Sequence, residues 1–159
     1  MDSAYSTVCS SAVRISGAGA ASPWITKFIH LPTLLVMLFE DAPGFRQIFL
    51  DGRSHPLDPN PTWLGHSVGR WEGDTLVADT VGFNDLSWIA RAHPHTEQLR
   101  TTERYRRPEY GRLEIEVVYD DPGAYIRPWT QNLIWYLAPQ EELIEFVCEN
   151  NRTDLLVGK

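Results

Sequence analysis

The turn that most constrains this chain is Glu72-Gly73-Asp74, inside the stretch GHSVGRWEGDTLVADTVGFND at residues 65–85. A glycine there accepts the positive φ of a tight hairpin, so the segments on either side are expected to pair as antiparallel strands. The first strand sets Val68, Arg70 and Glu72 against Ser67, Gly69 and Trp71. The second sets Thr75, Val77, Asp79, Val81 and Phe83 against Leu76, Ala78, Thr80 and Gly82. Neither strand has a wholly apolar face. A sheet covering only a dry core has no use for Arg70, Asp79 and Thr80 at these positions. Polar groups lining the concave side of a curved sheet account for them, and this predicts a pocket.

The remaining chain reads as more strands joined by short turns. Residues 23–31 and 33–40 alternate or run apolar on either side of Pro32, and 45–50 follows the Asp41-Ala42-Pro43-Gly44 turn. Pro56, Pro59 and Pro61 keep 53–63 out of a sheet interior. Residues 84–92 are expected to form a short helix, capped by Asn84 or Asp85, with Leu86, Ile89 and Ala90 on one face. Strands follow at 99–107 and 112–120. In the latter, Leu113, Ile115, Val117 and Tyr119 oppose Glu114, Glu116 and Asp120. A last hairpin is expected from 129–137 and 142–149. The fold class is therefore all-β: an antiparallel meander of about nine strands and one short helix, forming a closed or strongly curved barrel. Residues 1–22, rich in Ser, Ala and Gly, read as an arm, and 23–159 as a single domain.

With 159 residues the chain can bury a sizeable core, and six Trp, six Tyr and six Phe supply aromatic walls. The net charge of −7 argues against nucleic acid as a partner. Arg100, Arg104, Arg106, Arg107 and Arg112 form a basic cluster, but Glu103, Glu109, Glu114 and Glu116 accompany them, as in a salt-bridged solvent face. No apolar run has the length of a membrane-spanning helix, so no membrane insertion is expected. The N-terminus lacks a charged segment followed by an apolar one, so no intact secretory signal is visible. Cys9 and Cys148 are too few for a disulfide framework. They leave a single bridge or two thiols open. No phosphate loop, dinucleotide fingerprint or zinc-finger spacing is present, and no cofactor is expected.

Residues 45–53, His55-Pro56, 65–84, 93–97, 103–107, Asp121-Pro122 and 148–151 together resemble a large family of bacterial proteins with no established activity. Many of that family's members are predicted to be exported. The resemblance spans roughly 34–152. It implies a periplasmic or secreted location, which strengthens the case for a Cys9–Cys148 bridge without closing the choice against two thiols. The Trp71-Glu72-Gly73-Asp74-Thr75-Leu76 turn also has a looser likeness to lipocalin-type and fatty-acid-binding barrels.

The candidate acid–base groups are His95, Asp79, Glu103 and His66. Asp79 shares a face with Val77 and Val81, and Glu103 with Thr101 and Tyr105. If those faces line a cavity, desolvation suits the carboxyls to proton transfer. The competing reading is a structural ion-pair network with Arg70 or Arg104. Trp63, Arg70, Trp71, Tyr105, Trp88 and Trp135 are the expected ligand-contacting walls. His93, His95 and Glu97 stand two apart and form a candidate metal set, weighed below a purely structural loop. Residues 65–69 spell Gly-x-Ser-x-Gly, but Ser67 enters a hairpin strand rather than a strand-to-helix turn, so it is not expected to be a nucleophile. The expected function is a pocket for a small apolar or aromatic molecule, with acid–base isomerase, cyclase, dehydratase or hydrolase chemistry. The alternatives are a non-catalytic binding protein and an interaction module built on the Trp-rich loops. The expected partner is a small molecule, with a homodimer left open.

Overall fold

The computed structural model describes residues 25–40, 44–90 and 93–144. Within them the chain is all-β. The strands are β1 (Thr26–Leu31), β2 (Leu34–Phe39), β3 (Phe45–Phe49), β4 (His66–Glu72), β5 (Thr75–Val81), β6 (Trp88–Ala90), β7 (His93–Pro94), β8 (Arg100–Glu109), β9 (Arg112–Asp120) and β10 (Trp129–Tyr136). Eight of them form one curled sheet in the order β1-β2-β3-β4-β5-β8-β9-β10, a half-barrel. The first strand bends over toward the last. Phe28 of β1 places its ring 6.5 Å from Tyr105 on β8 and 6.1 Å from Trp135 on β10. The arm at 1–22, the Cys9–Cys148 pair and all but the start of the 142–149 strand lie outside the described residues.

The hairpin expected of 65–85 and the alternation expected of 112–120 are present. Glu72 pairs with Thr75 around a two-residue turn in which Gly73 has φ +63°. Registers carry one set of side chains into the concave face: Leu35, Met37, Ile48, Leu76, Ala78, Tyr105, Ile115, Val117, Tyr119 and Leu133 pack into one buried cluster. Phe83, Ile89 and Leu99, from the chain linking β5 to β8, join the same core.

Two local expectations are corrected. Among the described residues, 84–92 holds no helix: β6 pairs with β7 as a short hairpin. Ser87 and Ile89 are buried while Trp88 between them is exposed, a period of two rather than 3.6. Asn84 Oδ1 accepts from the Leu86 backbone N–H at 3.1 Å, an Asx turn instead of a helix cap. The meander is also interrupted. β3 and β4 run parallel, with Ile48 opposite Ser67 and Phe49 opposite Val68. Parallel neighbours need a long crossover, and the proline-rich segment between them supplies it. Its end is strapped to β5 by Thr62 N–H to Gly82 O (3.0 Å) and Asn84 N–H to Thr62 O (2.8 Å).

The core holds a charged pair. Arg46 on β3 meets Glu103 on β8 through two hydrogen bonds, one of them Nη1–Oε1 at 3.0 Å, with both side chains at most 2% exposed. Arg46 also donates to Ser67 Oγ (3.0 Å) and Thr80 Oγ1 (2.8 Å), and Tyr105 Oη donates to Glu103 Oε1 (3.0 Å). Burial disfavours the Arg46 charge, but Glu103 and Tyr105 more than offset this and push its pKa up. Burial, then Glu103, raises Tyr105, so its hydroxyl stays a donor. Glu103→Ala should cost about 3–5 kcal/mol in urea unfolding, because it strands a buried guanidinium. The double variant Arg46→Met, Glu103→Leu should be clearly less destabilised than Glu103→Ala.

Candidate acid–base site

Because successive strand residues point to opposite faces, Asp79 and Glu103 separate. Glu103 is paired with Ala78, on the concave face, while Asp79 is paired with Thr102, on the convex one. There Asp79 is the centre of a small polar cluster. Its Oδ1 contacts His55 Nε2 at 2.8 Å, and its Oδ2 accepts from Arg100 Nε at 2.9 Å and from Thr102 Oγ1 at 3.4 Å. His55 comes from the crossover loop, and its side chain is 19% exposed. Its other ring nitrogen, Nδ1, lies 3.1 Å from Nδ1 of His66 at the start of β4.

Two glycines make this approach possible. Gly65 has φ +64°, and a Cβ there would come within 2.6 Å of Val81 O and 2.8 Å of Thr80 Cγ2. Gly82 has φ +74°, and a Cβ there would meet Pro59 at 2.9 Å. The loop carrying His55 therefore lies directly on the end of β5, and His66 enters its strand at a fixed angle.

The two imidazole centroids are 5.3 Å apart, against 3.1 Å between the Nδ1 atoms. Each Nδ1 thus sits close to the line joining the rings and points at its counterpart. This is the geometry of one shared proton, not of two nitrogens turned toward a common ion. With Asp79 ionised, His55 donates Nε2–H to it, and its Nδ1 lone pair accepts Nδ1–H from His66. That leaves Nε2 of His66 as a proton acceptor, with no hydrogen bond to it among the described residues. Phe49 stacks on His66 at 5.3 Å and 24°, and Arg53, bound to Asp51 at 2.5 Å, lies over Phe49 at 4.0 Å. Burial, then the neighbouring His55 and Arg53, lowers the pKa of His66, so the ring is neutral near pH 7.

The other expected residues do not join this cluster. His95 is buried: its Nε2 bonds Ser87 Oγ at 2.9 Å and its Nδ1 the Thr96 carbonyl at 3.1 Å. His93 and Glu97 are exposed. Among the described residues no three His, Cys, Asp or Glu groups lie so as to hold a metal ion. Tyr105 belongs to the Glu103 network, and Trp135 packs on Phe28 inside the curl. Arg70 lies exposed on the convex face against Glu72 at 2.6 Å. Trp71 is half exposed, 5.7 Å from the His30 ring, while Trp63 and Trp88 project from separate loop and hairpin positions. Arg104 and Arg112 pair with Glu72 (2.9 Å) and Glu114 (2.5 Å), the ion-paired face expected of the basic cluster. His55, Phe49 and Arg100 were not singled out for this site from sequence.

No protein-family model, curated protein or solved structure matches the chain.

The depressed pKa of His66 makes a pH prediction. Below its ordinary value of about 6.5, the unfolded chain binds a proton that the folded chain resists. Stability should therefore be full above that value and fall as pH drops through the folded pKa. His66→Gln should flatten this part of the profile in urea unfolding between pH 7.5 and 5. An unchanged slope would contradict the assignment.

Proposed function

We propose that the chain is an acid–base protein acting on a small molecule at its convex face, with His66 Nε2 as the working base. The observation that carries this reading is the unbroken line Arg100–Asp79–His55–His66. A lone imidazole of lowered pKa is a poor proton acceptor. Here, uptake of a proton at Nε2 can be matched by transfer of the Nδ1 proton to His55. The positive charge then rests 2.8 Å from the Asp79 carboxylate instead of on the half-buried outer ring. Arg100 holds the Asp79 carboxylate in place, so the tautomers of both histidines are set before any substrate arrives.

The concave face supports this location less well for a ligand. Its described side chains, from Met37 to Tyr119, are packed against one another, and Glu103 is consumed by Arg46, Tyr105 and the surrounding hydroxyls. The reaction class favoured is proton abstraction from a weak carbon or oxygen acid, as in an isomerase or a dehydratase.

A deuterium-exchange screen tests the reading. Ketones, 1,3-dicarbonyl compounds and α-substituted carboxylic acids are incubated with the protein in D2O, and incorporation is followed by mass spectrometry. At least one class should exchange faster than in buffer. His66→Ala should lower that rate by about 10²–10⁴-fold, and Asp79→Asn should lower it while leaving the fold intact. Exchange that is insensitive to His66→Ala would overturn the assignment.

A further inference from the structure

Resting on that reading, we propose that the site takes anionic small molecules, with the free end of Arg100 holding a carboxylate or phosphate group against His66. Sheet register sets the two groups side by side. His66 on β4 is opposite Val81 on β5. Continuing the Thr80–Thr101 pairing by one residue sets Val81 beside Arg100 on β8, and Arg100 is itself opposite Asp120 on β9. His66, Val81 and Arg100 therefore form one row across the convex face, base and guanidinium two strand spacings or about 10 Å apart at the backbone.

Val81 is half-buried and apolar, and it is the floor between them. The His55–Asp79 pair is the adjoining side: Asp79, two residues before Val81, is in the next row on the same face. The Arg100 side chain is 59% exposed, although its Nε is committed to Asp79 at 2.9 Å. Its two terminal nitrogens carry no hydrogen bond among the described residues. A guanidinium fixed at Nε with its outer edge open is a ready bidentate partner for a planar oxyanion. The neighbouring convex-face arginines differ, because Arg104 Nη2 is taken by Glu72 and Arg106 lies between Asp74 and Glu114. A ligand bridging Arg100 and His66 over Val81 has room for a few carbon atoms between its anionic group and the proton to be removed.

The probes are benzoate, succinate and inorganic phosphate, titrated into the protein at pH 7 while the His66 Cε1–H resonance is followed by NMR. A saturable shift with benzoate or succinate, weakened at least tenfold by Arg100→Gln and unaffected by Arg104→Gln, is expected for a carboxylate site. The same pattern with phosphate alone would keep the anion site and move its ligand class to phosphate esters. No saturable shift with any probe, or equal weakening by Arg104→Gln, would overturn the proposal. The two readings fail separately. Deuterium exchange that depends on His66 without any anion-induced shift refutes the Arg100 subsite alone. A saturable, Arg100-dependent shift without exchange refutes the base.

Discussion

A guanidinium and a carboxylate sealed inside a protein must find each other, and in this fold Arg46 has Glu103. Removing two charges from water costs several kcal/mol per ion unless their remaining hydrogen-bonding groups are satisfied. Ser67, Thr80 and Tyr105 provide that satisfaction from three further places on the sheet. The pair ties β3 to β8, across β4 and β5. It therefore holds the parallel β3–β4 junction in register with the antiparallel strands beyond it. A slip of one residue in β3 or β8 would send Arg46 or Glu103 to the opposite face, and one in β4 or β5 would remove Ser67 or Thr80 from the pair.

The convex-face site follows from the same constraint. Once Glu103 is assigned to the interior, its neighbour Thr102 faces outward, and so does Asp79 opposite it. The parallel step from β3 to β4 requires a long crossover, and that crossover is what brings His55 over Asp79. Gly65 and Gly82 allow the loop and the β4 entry to lie within contact of the β5 end, where any larger residue would collide. The site's chemistry is thus a consequence of strand parity and of one departure from the meander.

Much of this architecture could be read from residues alone. The turn at Gly73 and the alternation of Leu113, Ile115, Val117 and Tyr119 are local signals, and local signals survive into the structure. The ionisable residues threaded through apolar strands also marked Asp79 and Glu103 as unusual. Their assignment to a common hollow did not hold, because face parity between β5 and β8 depends on the intervening chain and not on either strand. The short helix at 84–92 failed because buried Ser87 and Ile89 alternate with exposed Trp88, and Pro94 is taken into the pairing. His95 looked chemically available beside His93 and Glu97, yet it spends both ring nitrogens on Ser87 and a backbone carbonyl. His55 was not legible as a partner of Asp79, since nothing in a proline-rich segment says which strand it will cross.

Proton acceptance at His66 Nε2 depends on the direction of the protons along Asp79, His55 and His66. The most direct measurement is the set of 15N chemical shifts of the two imidazoles at pH 7, with one-bond and two-bond couplings assigning each tautomer. His55 should be protonated at Nε2, and His66 protonated at Nδ1 with a bare Nε2. Asp79→Asn should mix both tautomers. A His66 ring carrying its proton on Nε2, with Nδ1 bare, would contradict the account, because the line to Asp79 would then end one step short of any substrate.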